Sequence, residues 1–302
     1  MLYNFFMRIL HELTEKPNLS LALGYFDGVH LGHQAVIKSA VDFARQNGTP
    51  SAVITFKDHP CCYFWGVCPK YILTREYREK YISELGIDYL FELNFEKLAE
   101  LTADEYLEKI LIKYFKPKSI STGFNHNFGH NKTGNVEFLK HNASIYGYEY
   151  FALPPQRYNG EVISSTKIRT LLSDGKIETA NSMLGRNFII KGEVIKGQQL
   201  GRTIGFRTAN LRYPAELIDI PFGVYSVNVN YNNTKFRGIA NFGVRPTVNG
   251  KGTLLEVHIL NFDRDIYGEV LEVEFLKMIR REQKFNSLAE LKFQIKSDIQ
   301  NI

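Results

Sequence analysis

The chain has 302 residues, of which 44% are hydrophobic and 23% charged, a composition typical of a globular protein with one or two domains. Its formal net charge of +5 is a modest excess that suits small polyanions such as nucleotides, and no block of consecutive Lys or Arg argues for nucleic-acid binding. No apolar run reaches transmembrane length, so we expect no membrane partner.

Two features of the sequence predict a cytoplasmic protein. The N-terminal stretch "MLYNFFMRILHELTEK" lacks a basic start and a small-residue cleavage site, and Arg8 interrupts its apolar run, so we expect a first strand rather than a signal peptide. The three cysteines, Cys61, Cys62 and Cys68, form neither a disulfide framework nor the usual paired zinc spacing. We therefore expect simple thiols of a reducing compartment, with structural zinc as the less favoured alternative.

From about residue 19 to 183, short apolar runs alternate with helical patterns. "LSLALGYF" predicts a buried strand, and the helix that follows should be stopped by Gly48 and Pro50. One face of this helix carries Val36, Ile37, Ala40, Phe43 and Ala44. "SAVITF" is the next strand, and a strand–helix–strand unit predicts a parallel sheet. The same alternation predicts a helix near 75–85, the strand "DYLFEL", a helix near 103–114, the strand "KSISTG" and two closing helices.

After Gly185 the pattern changes to period two. Stretches such as "FIIKGEVIK" and "FGVYSVNVNY" alternate apolar and polar residues and are separated by turn residues. This predicts an antiparallel sheet or small barrel, closed by a last helix at about 287–299. We therefore predict two domains, residues 1–183 and 184–302.

The stretch "GYFDGVHLGH" (24–33) follows a predicted strand and opens a predicted helix. In an open parallel sheet, ligands bind at the carboxyl ends of the strands, and a helix N-terminus there offers backbone N–H groups to phosphate. Gly28 and Gly32 allow close approach of the backbone, and His30 and His33 add imidazole donors. The alternatives are a metal site, for which further ligands are not apparent, and a helix start with two satisfied histidines.

The stretch "ISSTKIR" (163–169) begins a second predicted helix, for which Ser165 is a candidate cap. It combines hydroxyls with cations, namely Ser164, Ser165, Thr166, Lys167 and Arg169. Taken alone it is a capped helix, and together with the two histidines it forms a second phosphate clamp, since Arg can contact phosphate oxygens in bidentate fashion.

The motifs "GYFDGVHLGH", "TGFNHNFG" (122–129) and "ISSTKIR", in this order along the chain, closely resemble the adenylyltransferase half of the prokaryotic bifunctional riboflavin kinase/FAD synthetase family. The resemblance implies a Rossmann-like α/β nucleotidyltransferase domain in which FMN attacks the α-phosphorus of ATP. It implies a catalytic set of His30, His33 and Arg169. The implied ATP-binding residues are Gly24, Phe26, Asp27, Gly28, His30, Gly32, His33, Ser164, Ser165, Thr166 and Arg169, and the flavin-side residues are Asn125 and Phe128.

The second half carries "GRTIGFRTANL" (201–211), a glycine-containing stretch that could bind phosphate or be a plain loop. It contains no P-loop pattern. With "GIANFGVRPTVNG", "LEVHILNFDRDIYG" and "REQKFNSLAELKFQIKSD" it resembles the riboflavin kinase half of the same family, a six-stranded antiparallel barrel with a terminal helix. The resemblance implies Mg²⁺ and ATP at Thr208 and Asn210, with Glu256 as base. It also implies ATP contacts at Gly201 and Gly205 and flavin contacts at Arg281 and Phe285.

By position alone, Glu256 could equally be an outward-facing strand carboxylate. A riboflavin hydroxyl is a poor nucleophile and benefits from such an acceptor, whereas an FMN phosphate is already ionised and needs positioning more than a base.

Three positions depart from the family pattern. Asp58 and Arg207 stand where the family usually has proline, and Asn127 stands where it usually has Arg. Loss of a cation beside a phosphate would weaken binding by about 1–3 kcal/mol, with Lys132 as a candidate replacement. Arg207 loosens the loop but adds a cation, so it is either a phosphate ligand or, as we slightly favour, a tolerated substitution that points to solvent.

The sequence therefore predicts an enzyme that uses ATP and Mg²⁺ to convert riboflavin to FMN and FMN to FAD. Alternatives are a chain with one active half and a flavin- or RNA-binding module without catalysis. A homo-oligomer is left open.

Overall fold

The computed structural model describes residues 7–196, 205–247 and 250–302. The contacts divide the chain into two compact units, one of Met1–Pro69 and Arg75–Ser164 and one of Lys70–Thr74 and Ser165–Ile302. The closing helices thus fall with the second unit by their contacts. The predicted domain division at residues 183/184 stays a prediction.

The first unit is built on a six-stranded sheet in which every pairing is parallel. Its strands are β1 (Arg8–Leu10), β2 (Ser20–Leu23), β3 (Ser51–Phe56), β4 (Tyr89–Leu93), β5 (Ser119–Gly123) and β8 (Glu149–Leu153), in the order β1-β4-β3-β2-β5-β8. Strands such as β2 and β3 are buried almost throughout, which is typical of a parallel sheet whose two faces are covered by helices. The strand order reverses at β2, which is where open α/β sheets bind ligands.

The helices of this unit are α1 (Leu31–Asn47), α2 (Pro60–Trp65), α3 (Arg75–Ser83), α4 (Ala103–Glu105) and α5 (Val136–Tyr146). Short 3₁₀ turns lie at Phe95–Lys97 and His130–Lys132, and two small hairpins pair β6 (Asn127–Phe128) with β7 (Gly134–Asn135) and β9 (Arg157–Tyr158) with β10 (Glu161–Val162).

Two of the predicted helices differ in detail from the structure. The helix predicted near 103–114 is present, but after α4 it continues as a π-helix over Tyr106–Phe115. In α1 the buried face includes Val41, whereas Phe43 is only half-buried and lies against Phe151, with ring centroids 5.7 Å apart. The predicted stop is confirmed, because Gly48 ends α1 in the left-handed conformation.

The second unit contains a closed barrel in which every pairing is antiparallel. Its strands are β11 (Phe188–Ile195), β12 (Ala209–Arg212), β13 (Gly223–Tyr231), β14 (Thr234–Thr247), β15 (Gly250–Ile259) and β16 (Val270–Arg281), in the order β11-β12-β15-β14-β13-β16. Among the described residues, the helices that accompany the barrel are α6 (Ser165–Ser173), α7 (Ile177–Leu184) and α8 (Leu288–Gln300). The predicted fold class, including the final helix, is confirmed.

Helix α7 is joined to the barrel by one side chain. Asn181 Nδ2 donates to the Phe275 carbonyl at 2.8 Å, and Asn181 Oδ1 accepts from the Phe188 N–H at 2.7 Å. Both partners are strand residues, so Asn181 fixes the helix against β11 and β16.

The expectation of three free thiols is wrong. Cys62 and Cys68 form a disulfide, and Cys61 is free. Helix α2 ends at Gly66 in the left-handed conformation, which turns the chain back so that the two Cα atoms lie 4.3 Å apart. Within the described residues there is no group of three or more His, Cys, Asp or Glu side chains that could hold a metal ion.

None of the helices in the described ranges combines the length and apolar character that a membrane crossing requires.

Candidate active sites

The loop that joins β2 to α1 is tightly wound at the switch point of the sheet. Phe26, Gly28 and Val29 all have positive φ, of 61°, 82° and 38°. Two of these are not glycine, so the conformation is held by its surroundings and is typical of a functional loop. Gly24 begins the loop, and a Cβ there would come within 2.9 Å of the Phe26 ring. Asp27 is buried.

The two predicted histidines form one unit at the start of α1. His30 is the N-cap, and its Nδ1 accepts the His33 backbone N–H at 3.2 Å. A neutral His30 ring therefore carries its proton on Nε2. The two rings stack with centroids 3.6 Å apart, and Phe26 meets His33 edge-on at 5.3 Å. A Cβ at Gly32 would come within 3.1 Å of His30 Cε1, so glycine makes room for this ring.

The second phosphate motif, "ISSTKIR", begins beside the pair of histidines. The Ile163 carbonyl oxygen lies 3.9 Å from the Cβ position at Gly32. Ser164 is the last residue of the first unit, and α6 begins at Ser165. The prediction that Ser165 caps the helix is wrong, because Ser165 is already helical and Ser164 precedes it.

The remaining residues of that motif belong to the second unit. Thr166 is exposed on α6, and Arg169 Nε donates to the Lys70 carbonyl at 3.0 Å. The predicted roles of Thr166 and Arg169 in ATP binding rest on the sequence.

The flavin-side motif follows β5. Asn125 is exposed, and its carbonyl accepts from Asn127 Nδ2 at 2.9 Å. Phe128 packs against Tyr106 and Phe138 with ring centroids 5.5 and 5.7 Å away, so it anchors the motif to the core. His126 stacks on Phe128 at 5.7 Å, and burial lowers the pKa of His126 to about 4. Lys132, the candidate replacement for the missing cation, is exposed.

Sequence reasoning missed an aromatic surface after β3. His59 caps α2, with Nδ1 accepting the Cys61 N–H at 3.1 Å. Helix α2 then presents exposed aromatic side chains, which we call the α2 aromatic surface: Tyr63, Phe64 and Trp65, the last 74% exposed. The signal was present in the run "CCYFWG" directly after "HP", since exposed large aromatic side chains in a cluster usually mark a binding surface. Asp58, which stands where the family usually has proline, is also exposed here.

In the second unit, a cavity of about 210 Å³ contains both predicted metal ligands. Thr208 and Asn210 line it together with the cations Arg207 and Arg264. The other lining residues are Val194, Ala209, Val257, Ile259, Phe262, Asp265, Ile266 and Tyr267. The lining thus combines apolar side chains with hydroxyl, amide, guanidinium and carboxylate groups, and the two guanidinium groups suit the phosphates of a nucleotide.

Glu256 lies next to this cavity by strand register. It pairs with Asn210 on one neighbouring strand and with Asn241 on the other, and Asn241 Nδ2 donates to Glu256 Oε2 at 3.5 Å. Leu255 and Val257 are buried, so the alternation of β15 puts Glu256 on the opposite face, where it is half-buried. The role of Glu256 as base stays a prediction.

Three other predicted residues, Gly205, Arg281 and Phe285, are not among the residues that line this cavity. Gly201 is outside the described residues, and Gly205 has a φ of 87°, which favours glycine. Arg281 is exposed at the end of β16. Phe285 lies under the Arg280 guanidinium at 5.6 Å, and Arg280 in turn holds the buried Asp298 of α8.

Comparison with known proteins gives two matches to family models, FAD synthetase over residues 12–167 and riboflavin kinase over residues 184–302. The bifunctional riboflavin kinase/FMN adenylyltransferase of Haemophilus influenzae is 38% identical, covering 93% of this chain and 92% of that protein. The protein of the same name from Escherichia coli K12 is 37% identical, covering 97% and 95%. A crystal structure described as a macrolide-efflux protein from Streptococcus pneumoniae superposes with a TM-score of 0.86 at 34% identity, covering 96% and 94%.

Proposed function

Because the chain belongs to the bifunctional riboflavin kinase/FMN adenylyltransferase family, we propose that it makes FMN and then FAD at two separate sites. The family predicted from the sequence motifs is thereby confirmed. In the first reaction the γ-phosphoryl group of ATP passes to the riboflavin hydroxyl, leaving ADP. In the second, an FMN phosphate oxygen attacks the α-phosphorus of ATP and pyrophosphate leaves.

In the kinase site, Glu256 accepts the proton of the attacking hydroxyl. Its neighbours Asn210 and Asn241 supply side-chain amides on either side, and Asn241 contacts it directly. Positioning of the base in this way favours general base catalysis. Arg207 and Arg264, on the cavity wall, face the charge of the phosphates.

The same site fits Mg²⁺. Thr208 and Asn210 supply a hydroxyl and an amide oxygen on the wall of one cavity, and oxygen is the ligand that Mg²⁺ prefers. When bound, the ion neutralises charge on the transferred phosphoryl group.

In the adenylyltransferase site, the phosphates of ATP lie at the start of α1. The helix N-terminus supplies backbone N–H groups, and His30 supplies its Nε2 proton because its Nδ1 is already an acceptor. His33 is stacked on that ring, so both imidazoles are held in place before ATP binds. Preorganised donors stabilise developing charge without reorganisation during the reaction. Ser164, Ser165, Thr166 and Arg169 are proposed to hold the triphosphate on the strength of the sequence motif.

The flavin end of this site is formed by Asn125 and the α2 aromatic surface. The isoalloxazine system is flat and largely apolar, and exposed aromatic rings offer it stacking area. Phe128 supports Asn125 from the core rather than presenting an open face. Since both reactions consume ATP, we place the protein in the cytoplasm.

The observation that carries the proposal is that each family model covers a region with its own polar site, one at the switch point of the sheet and one on the barrel. The test is to incubate the purified chain with riboflavin, ATP and Mg²⁺ and to separate riboflavin, FMN and FAD over time. We expect FMN to appear first and FAD after it. If FMN forms but FAD does not, only the kinase part of the proposal stands. If riboflavin is not converted and added FMN gives no FAD, the whole proposal is overturned.

A further inference from the structure

A buried ion pair lies at the carboxyl ends of β3 and β4. Glu92 is 1% exposed and Arg78 of α3 is 4% exposed, and Arg78 Nη2 donates to Glu92 Oε1 at 2.7 Å. Because the loss of hydration largely offsets the attraction between two buried charges, an apolar pair of similar size would stabilise the fold about as well. The pair therefore indicates a role in fixing geometry.

Arg78 connects this pair to two loops of the adenylyltransferase site. Its Nη2 also donates to the Phe56 carbonyl at the end of β3, at 3.1 Å. Its guanidinium carbon lies 4.9 Å from the centroid of the Tyr25 ring. Tyr25 in turn meets the His59 ring edge-on, with centroids 4.7 Å apart. Contacts thus run from Glu92 through Arg78 and Tyr25 to His59.

The backbone of the β2–α1 loop is held without Arg78. Thr55 Oγ1 donates to the Tyr25 carbonyl at 2.9 Å, and the Gly24 N–H donates to the Ile54 carbonyl at 3.3 Å. Loss of Arg78 would therefore remove a contact of the Tyr25 ring and leave the main chain of the ATP-side loop in place.

His59 occupies the border between this ring pair and the flavin end. Its Nδ1 is engaged by the Cys61 N–H, so the orientation of its ring depends on the start of α2 and on Tyr25. The α2 aromatic surface begins immediately after it. A displacement of the Tyr25 ring would therefore change the orientation of the His59 ring on the flavin side of the site.

We propose that Arg78 is a positioning residue for FMN adenylylation. Glu92 holds the Arg78 guanidinium, and Arg78 in turn fixes the rings of Tyr25 and His59 for the flavin substrate. The inference rests on the function proposed for the first unit. Arg78 Nε is buried without a hydrogen-bond partner among the described residues, so the guanidinium is placed by its Nη2 contacts and by the Tyr25 ring. Lysine would keep the charge but not the flat group that stacks on Tyr25 while donating to two acceptors.

The test uses the full chain and three variants. Arg78→Met removes the positioning group. Arg75→Met is the matched control, because Arg75 shares the Glu92 carboxylate but is 41% exposed and turns its Nε to Glu79 on its own helix. The double variant Arg78→Met/Glu92→Met replaces the ion pair by an apolar pair and guards against failure to fold.

We expect Arg78→Met to raise the KM for FMN in FAD formation about tenfold or more, with the KM for ATP changed by less than about threefold and the rate of riboflavin phosphorylation unchanged. Arg75→Met should leave both KM values within about twofold of the wild type. The double variant should regain the melting temperature of the wild type and keep the raised KM for FMN.

Two results would overturn the inference alone, in a wild-type chain that makes FAD. One is an unchanged KM for FMN in a folded Arg78 variant. The other is a double variant in which the melting temperature and the KM return together, since the pair would then be merely structural. A wild-type chain that makes no FAD would overturn the proposed function of the first unit and this inference with it.

Discussion

Arg207 provides a test of the proposed kinase site, because it lines the same cavity as the predicted metal ligands. The sequence alone favours a tolerated arginine that points to solvent, but the structure puts it in the wall of the cavity with Thr208 and Asn210. Its guanidinium pairs with Asp263, and the two side chains are 53% and 81% exposed. Its carbonyl accepts from His258 Nδ1 at 2.7 Å, an interaction that proline at this position would keep. We therefore expect Arg207 to contact a phosphate.

The magnitude follows from two opposing contributions. A charge-assisted hydrogen bond to phosphate is worth about 1.5–3 kcal/mol, and leaving an exposed ion pair costs about 0.2–1 kcal/mol. The difference, about 0.5–2.8 kcal/mol, corresponds to about a twofold to hundredfold change in affinity. Arg207→Met should raise the KM for ATP by that factor. Arg207→Pro should recover about twofold to fivefold of the loss, because a stiffer loop is worth about 0.4–1 kcal/mol.

Asp263→Asn provides a test of opposite sign. It releases Arg207 from its ion pair and should lower the KM for ATP by up to about fivefold. The assay is the initial rate of FMN formation against ATP at saturating riboflavin and Mg²⁺, with FAD formation from FMN as the control for folding. If the Met variant and Asp263→Asn both leave the KM unchanged, Arg207 is not a phosphate ligand and the reasoning from its place in the cavity wall is refuted.

Three further predictions concern the two sites and their stability. His33→Ala should abolish FAD formation and leave FMN formation nearly intact, whereas Glu256→Gln should abolish FMN formation and leave FAD formation from FMN nearly intact. Separation of the flavins from one sample measures both activities, and equal loss of both in either variant would show that the sites are not separate. A fragment of residues 165–302 should melt at a higher temperature than one of 185–302, because α7 is hydrogen-bonded to the barrel; equal melting temperatures would contradict this. Burial lowers the pKa of His126 to about 4, whereas the ordinary value is about 6.5. Between these two pH values the unfolded chain binds a proton at His126 that the folded chain does not bind. The free energy of unfolding should therefore fall as the pH drops from about 6.5 towards 4. His126→Phe should reduce this fall in urea unfolding at pH 7 and pH 5, and an identical fall in both proteins would argue against it.

Hydrophobic periodicity predicted the parallel sheet and left the second half as an antiparallel sheet or a small barrel, and the resemblance to the family implied the six-stranded barrel. The change from helical spacing to period two separates the parallel sheet from the barrel, because side chains on a strand alternate between faces whereas those on a helix recur every three or four residues. Details that depend on packing were not predictable in this way. Val41, and not Phe43, is buried on α1. Periodicity locates the centre of the apolar face of a helix, but packing against the neighbouring sheet decides which residues at the edge of that face are buried.

The polar motifs predicted the site at the start of α1 because their residues are close in sequence. The stacking of His30 on His33 follows from their spacing at a helix start. Contacts between separate elements were missed. Arg78 and Glu92 lie on a helix and a strand and meet only in the folded sheet, and neither residue type is expected to be buried. The same holds for Glu256 and Asn241, whose pairing depends on the register of the barrel.

The two candidate sites are built differently because their nucleophiles differ. A riboflavin hydroxyl keeps its proton at neutral pH, and the barrel carries the Glu256 carboxylate, which accepts from Asn241 and whose backbone pairs in register with Asn210. An FMN phosphate is already ionised, and what it needs is alignment with the α-phosphorus and donors for the charge that develops there. We propose that the start of α1 meets this need with His30, because its Nδ1 accepts from its own helix and its Nε2 is left to donate. A general base would be redundant in the first site, and a rigid donor pair alone would be insufficient in the second.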